Sequence, residues 1–171
     1  MGENWPVLTI RQPWEFAIEH GKPVENRSRN MKYRGPLWLH AGARSRWDRD
    51  GEHSPVVRQA WNAWVRKRPD AAELIGGPTR NSHFVPFGAI VAVAEVDACH
   101  HDGSCYLFSA FDDESGRCSA WAAGGQWHWH LANARPLATP VPCRGMLGLW
   151  RLPGDTEKLV RAQLGEDGKH G

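Results

Sequence analysis

The sequence lacks the marks of several large enzyme classes. Gly76-Gly77-Pro78-Thr79 carries neither the lysine nor the strand-to-helix setting of a phosphate-cradling loop, so nucleotide triphosphate hydrolysis is not expected. There is no His-Glu-x-x-His helix and no Gly-x-Ser-x-Gly elbow, which argues against zinc peptidase and α/β-hydrolase chemistry. The longest apolar run, around Ala89 to Ala94, falls well short of the roughly 20 residues a membrane-spanning helix needs. The opening Met1-Gly2-Glu3-Asn4-Trp5-Pro6 has no basic stretch followed by an apolar one, so no signal peptide is read and a cytoplasmic location is expected. None of the four cysteines forms a Cys-x-x-Cys pair, and in a reducing compartment they should stay thiols. Cys99-His100-His101 with Cys105 and Cys118 comes nearest to a metal cluster, but its spacing matches no zinc-finger template. It is read as a loop rich in His and Asp, and neither a metal nor a cofactor is expected.

What is present fits one globular unit. At 171 residues, 41% hydrophobic and 23% charged, the chain can bury a real core and is too short for two ordinary domains. The net charge of +2 is unevenly spread: residues 1–69 carry a balance of +6 and residues 70–171 one of −4. Arg27, Arg29, Lys32 and Arg34 crowd one short stretch without an acid, either as a phosphate-binding rim or as a solvated turn. Ten tryptophans exceed ordinary usage severalfold; most belong in the core, and one or two are free to act as a platform for bases.

Periodicity and punctuation predict the elements. Val7 to Ile10 reads as a strand and residues 12–20 as a helix, with Pro13 at its first position and Gly21 just past its end. A cation at Lys22 would complement that helix's dipole. Val24 to Arg27 reads as a strand with Glu25 and Arg27 on one face, and Pro36 to Ala41 as another. Ser54-Pro55 opens a helix to about Arg68 with Val57, Ala60, Trp61, Trp64 and Val65 along one face, and 69–87 reads as loop. Gly88 to Ala98 should be the central strand. Tyr106 to Phe111 is expected as a strand and Cys118 to Ala123 as a short helix. Trp127 to Asn133 alternates, with Trp127, Trp129 and Leu131 opposite His128 and His130; Met146 to Leu152 closes the sheet, and Asp155-Thr156 caps a helix reaching Leu164. About six strands with helices that do not alternate with them predict an α+β fold built on a small, partly open β-barrel. One domain is expected over 1–153 with a helical insertion at 44–85, followed by a tail at 154–171.

Three stretches carry a resemblance: Leu8-Thr9-Ile10-Arg11-Gln12-Pro13-Trp14; then Gly21-Lys22-Pro23-Val24-Glu25-Asn26-Arg27; then Tyr33-Arg34-Gly35-Pro36-Leu37-Trp38-Leu39-His40-Ala41. They look like the ASCH family of the PUA-like superfamily, with the pattern G-x-K-x-x-E-x-R met by Gly21, Lys22, Glu25 and Arg27. Pro140 to Trp150 is similar to the strand that ends many such domains. The resemblance implies a barrel of about six strands with a cleft beside the first helix, lined by the lysine, the glutamate and the arginine, and a role in binding RNA or other nucleic acid. One bacterial branch that this chain resembles hydrolyses N4-acetylcytidine through a lysine, a threonine and a glutamate. Lys22 and Glu95 stand at plausible counterparts of the lysine and the glutamate, and Glu25 replaces the threonine.

Chemically, Lys22 and Arg27 can hold a phosphate or a base carbonyl, while Glu25 can accept from exocyclic amines or restrain Arg27. Unstacked bases could rest on Trp14, Trp38 or Tyr33, with Gln12 and Arg144 beside the cleft and affinity from Arg29, Lys32 and Arg34. Equally, Lys22, Glu25 and Arg27 could be a surface ion network worth ~0–1 kcal/mol, and Glu95 a buried ion pair supporting the strand. His40, His128 and His130 can all be packing residues. The leading reading is a non-enzymatic cleft for a nucleotide of single-stranded RNA or DNA, a modified base included. The alternative is a small hydrolase of nucleosides or RNA in which Lys22, Glu25 and Glu95 do the chemistry, an amidohydrolase or a ribonuclease. A third reading has Trp61 and Trp64 on the insertion helix presented to a protein partner.

Overall fold

A computed structural model describes residues 4–45, 54–68, 70, 85–108 and 116–165. Six strands, β1 (Pro6–Gln12), β2 (Val24–Arg27), β3 (Gly35–Ser45), β4 (Ala89–His101), β5 (Trp127–Pro142) and β6 (Leu149–Arg151), form one mixed sheet in the order β2-β5-β4-β3-β1-β6. Strands β1 and β3 run parallel; the other pairs are antiparallel. The sheet curls into a half-barrel, and with helices α1 (Trp14–Glu19), α2 (Pro55–Arg66) and α3 (Gly154–Arg161) the class is α+β, as the element pattern predicts.

Alternation of side chains builds two cores. Leu8 of β1 lies opposite Leu39 of β3 and both enter the larger core, with Ile10, Leu37, Val96, Trp129 and Leu131. Their neighbours Val7 and Trp38 face the other way, into a core shared with Ile90, Val93, Trp150 and Val160 of α3. Strand β4 is flanked on both sides and contributes to both cores, which explains its nearly continuous apolar sequence. A third cluster joins α1 to α2: Trp61 packs edge-on against Phe16 with ring centroids 4.9 Å apart and is almost wholly buried. Trp61 is therefore not on offer to a partner.

Several element boundaries differ from the sequence reading. Gln12 stays in β1, paired with Ser45 of β3, so α1 starts at Trp14 and Pro13 precedes it instead of occupying its first turn. The segment expected as a strand from Tyr106 is a 3-10 turn over Asp102–Leu107, held by the local bond of Gly103 N–H to the His101 ring and by the distant Gly125 N–H donating to the Asp102 carboxylate. Residues 109–111 lie outside the described residues. Cys118 to Ala123 forms turns, not a helix. The closing strand shrinks to three residues on β1, leaving Met146 and Leu147 exposed. Helix α3 ends at Arg161, short of Leu164, and has no side-chain cap. Helix α2 does start as read, with Ser54 Oγ accepting from Val57 N–H and Pro55 at the first position. Most of the 69–87 loop falls outside the described residues. No helix among them is long and apolar enough to cross a membrane.

Candidate functional site

The turn between α1 and β2 aims the first functional side chain. Gly21 takes φ 101°, which a residue with a side chain rarely adopts, and lets Lys22 N–H reach back to the Ala17 carbonyl at 2.8 Å. Lys22 is thereby folded inward instead of standing free past the helix end, and only 2% of it is exposed. Its ammonium donates to Glu25 Oε2 at 2.7 Å and sits 5.6 Å from the centre of the Trp14 ring. Three residues on, Glu25 is 7% exposed. It occupies the edge strand β2, and its second oxygen meets Arg27 Nε at 3.0 Å.

This is a buried Lys22–Glu25 pair with a half-buried Arg27 beside it, not a surface network. Burial works to raise the Glu25 pKa, but the charges and hydrogen bonds of Lys22 and Arg27 outweigh it and hold the carboxyl below its ordinary value. Arg27 also donates to the Thr9 carbonyl at 3.0 Å and lies over the Trp129 ring, so it braces Glu25 against β1 and β5.

Beside the pair lies a cavity of about 400 Å³. Trp14, Lys22, Glu25 and Asn26 line one side; Trp121, Gln126 and the 120–123 segment line another, with Ser54 and Val56 from the start of α2. Asn26 ties the walls together, donating to the Trp121 carbonyl at 2.9 Å and accepting from Ala123 N–H at 3.0 Å. The ammonium has three donors and, among the described residues, one hydrogen-bond acceptor, Glu25, which leaves N–H groups for an acceptor in the cavity.

Of the residues singled out in the sequence, Trp14, Lys22 and Glu25 meet in this hollow, and Arg27 stands behind Glu25 without lining it. Arg29 and Lys32 are exposed on the turn after β2. Arg34 sits on the same turn, its guanidinium donating to the Met31 and Tyr33 carbonyls at 2.8 Å. Tyr33 is half-buried, its hydroxyl donating to the Pro36 carbonyl.

Four expectations are corrected. Trp38 is 0% exposed in the opposite core, so no base can stack on it. Gln12 is fully buried and spends its amide on Glu15, the Pro86 carbonyl and Phe16 N–H, which makes it a brace for α1. Arg144 lies on the turn beyond β5, away from the cavity lining. Glu95 is exposed on β4 and accepts from Asn133, so it is neither buried nor part of the cavity. The sequence reading missed Trp121, Gln126 and Asn26. Asn26 lay inside the recognised stretch, whereas Trp121 and Gln126 belong to an irregular segment with no periodic signal.

No family model matches the sequence, and no curated protein matches it. Among solved structures, the chain is similar to ASCH from Zymomonas mobilis, at 15% identity and TM-score 0.48, covering 93% of this chain and 94% of that one. It is also similar to two point mutants of that organism's ASCH protein. A serine-to-alanine mutant matches at 13% and 0.48 over 93% and 95% of the two chains, and a tyrosine-to-phenylalanine mutant at 12% and 0.47 over 94% and 98%.

Proposed function

We propose that this chain is an ASCH-type, nucleic-acid-binding domain whose cavity accepts one nucleotide of a single strand. The observation that carries the reading is the pairing of a buried, hydrogen-bonding cation with aromatic walls in a space of suitable size. About 400 Å³ sits near the small end of the ~300–1,000 Å³ typical of ligand pockets, enough for one base with its sugar. The Trp14 and Trp121 side chains offer apolar surface to the base. Lys22 donates to a carbonyl or phosphate oxygen, and Glu25, fixed by Arg27, keeps the ammonium aimed. Gln126 supplies both a donor and an acceptor for a base edge. Arg29 and Lys32, exposed just beyond β2, would follow the phosphate backbone.

Recognition fits these groups better than hydrolysis. Acyl transfer through Lys22 would need its lone pair freed while an ionised carboxylate sits 2.7 Å away, and the second acid, Glu95, is outside the cavity.

The test is binding of labelled single-stranded RNA and DNA oligomers across a salt series. Affinity should be strongest at low salt, fall with added salt, and drop about 5- to 100-fold in Trp14→Leu, the loss of a stacking platform being worth ~1–3 kcal/mol. Absence of binding to every single strand at low salt would end the reading. Turnover of N4-acetylcytidine or RNA that is lost in Lys22→Met would replace it with the hydrolase.

A further inference from the structure

Away from the Lys22–Glu25 pair, four side chains with metal-binding atoms converge. His100 comes from β4, Cys105 from the 3-10 turn, Cys118 from the turn segment after it, and His128 from β5. One ligand atom from each lies within 4.8 Å of every other. Three of them are buried and the fourth is partly so. We propose that His100, Cys105, Cys118 and His128 form a closed, four-coordinate site for a zinc-type divalent cation.

Three features of the geometry support it. First, the two sulfur-to-nitrogen edges at His128 fit a tetrahedron, with every other ligand-atom separation within 4.8 Å. Zinc bonds of ~2.3 Å to sulfur and ~2.0–2.1 Å to nitrogen imply sulfur-to-nitrogen edges of about 3.5 Å. Cys105 Sγ and Cys118 Sγ lie 3.2 and 3.4 Å from His128 Nδ1.

Second, the His128 tautomer is already set for coordination. Its Nε2–H donates to the Ala123 carbonyl at 2.8 Å, so Nδ1 turns a bare lone pair toward both thiols. Nδ1 offers one lone pair to two S–H donors, of which Cys105 also reaches Asp102 Oδ1 at 3.9 Å, whereas one cation can be shared by Nδ1 and both sulfurs.

Third, both ring nitrogens of His100 are buried without a hydrogen-bond partner among the described residues. Stacking on Phe108, 4.0 Å between ring centres and nearly parallel, holds the ring in that position.

Two thiolates and two neutral imidazoles would balance a divalent charge, and four protein ligands leave no open position. That is a structural site, not a catalytic one. It would staple the 118–128 segment to β4. The same segment supplies Trp121 and the 120–123 wall of the cavity, so the metal would fix one side of the proposed nucleotide site from behind. Cys99 and His101 do not take part. Strand alternation turns them to the opposite face from His100, where Cys99 meets Asn30 and His101 meets Trp127.

The test uses the whole chain, purified without chelator or affinity metal, with metal content measured by mass spectrometry. One zinc per chain is expected, with less than a tenth of that in the Cys105→Ser/Cys118→Ser double variant. Replacement by cobalt(II) should give the intense visible bands of tetrahedral coordination and thiolate-to-metal charge transfer. A readout on the unaltered chain covers the case in which the variant does not fold. Two of the four thiols should resist a thiol reagent until a chelator is added, and zinc should leave as those two react. Wild-type protein that is folded and free of metal, and that binds no added zinc or cobalt, would overturn the proposal. So would stoichiometric metal retained in the double variant, or a Cys105–Cys118 disulfide in protein purified under reducing conditions.

Discussion

Removing the Glu25 charge should cost far more than removing the Lys22 charge, although the two form one ion pair. Glu25 has two cationic partners, Lys22 at 2.7 Å and Arg27 at 3.0 Å, whereas Lys22 has Glu25 alone among the described residues. In Glu25→Gln the Lys22 ammonium is left in a site where only 2% of the residue reaches solvent, beside a guanidinium that has lost its carboxylate as well. Truncating one partner of a buried pair costs ~3–5 kcal/mol. The glutamine oxygen still accepts a hydrogen bond and the adjoining cavity admits water, so the low end, about 3 kcal/mol, is expected. In Lys22→Met the carboxylate keeps Arg27, and the loss should be about 1–2 kcal/mol. Urea unfolding at pH 7 reads the difference directly. With a slope of ~2 kcal/mol/M, the midpoint of Glu25→Gln should fall by about 1.5 M and that of Lys22→Met by less than about 1 M. The double variant should lose less than the sum of the two singles by ~1–3 kcal/mol, because the residues share one network. A Glu25→Gln protein within ~1 kcal/mol of wild type, or a Lys22→Met protein less stable than Glu25→Gln, would refute the buried pair braced by Arg27.

Two carboxylates give opposite pH dependences. Glu19 is raised to about 7 by burial, so its share of stability is fully present below the ordinary value of 4.5 and is lost as pH rises through 7. Glu19 shares this titration with the buried Glu15 beside it, so Glu19→Gln should gain on wild type as pH rises from about 5 to 8 in parallel thermal or urea unfolding series; a constant difference would contradict this. Glu25, held below its ordinary value, behaves the other way: its contribution is present above that value and lost as pH falls through the folded one, so the penalty of Glu25→Gln should shrink in acid. Trp38→Leu should cost ~3–5 kcal/mol of stability, yet the protein that remains folded should bind single strands with unchanged affinity, as filter binding beside Trp14→Leu would show. Gly145→Ala should destabilise by more than ~1 kcal/mol in chemical unfolding, since a Cβ there would collide with the His40 ring, itself pinned by a hydrogen bond to the Cys143 carbonyl.

Much of this molecule follows from local sequence. The short apolar run Val7–Ile10, the alternation of Trp127–Leu131 and the continuous run after Gly88 specify strands whatever their partners, because such runs bounded by turn residues suit a pleated chain that buries one face or both. Ser54-Pro55 and Gly21 mark helix ends through backbone chemistry that acts within a few residues. The run from Gly21 to Arg27 is equally local: two elements and one turn place Lys22, Glu25 and Arg27 together, so their spacing was readable in advance.

Tertiary structure decided whatever depended on the chain meeting itself at a distance. Trp38 and Leu39 read alike, and the pairing of β3 with β1 sends them to different cores. Glu95 read as buried because its neighbours are apolar, yet its side chain is exposed at the level where Asn133 of β5 meets it. Whether Lys22 was buried or solvated turned on Trp14 and on a wall contributed by Trp121 and Gln126, far along the chain. The His and Cys cluster has the same origin. Its spacing repeats nothing familiar, and its four ligand atoms meet only because β4 and β5 pair and draw the intervening turns over their ends.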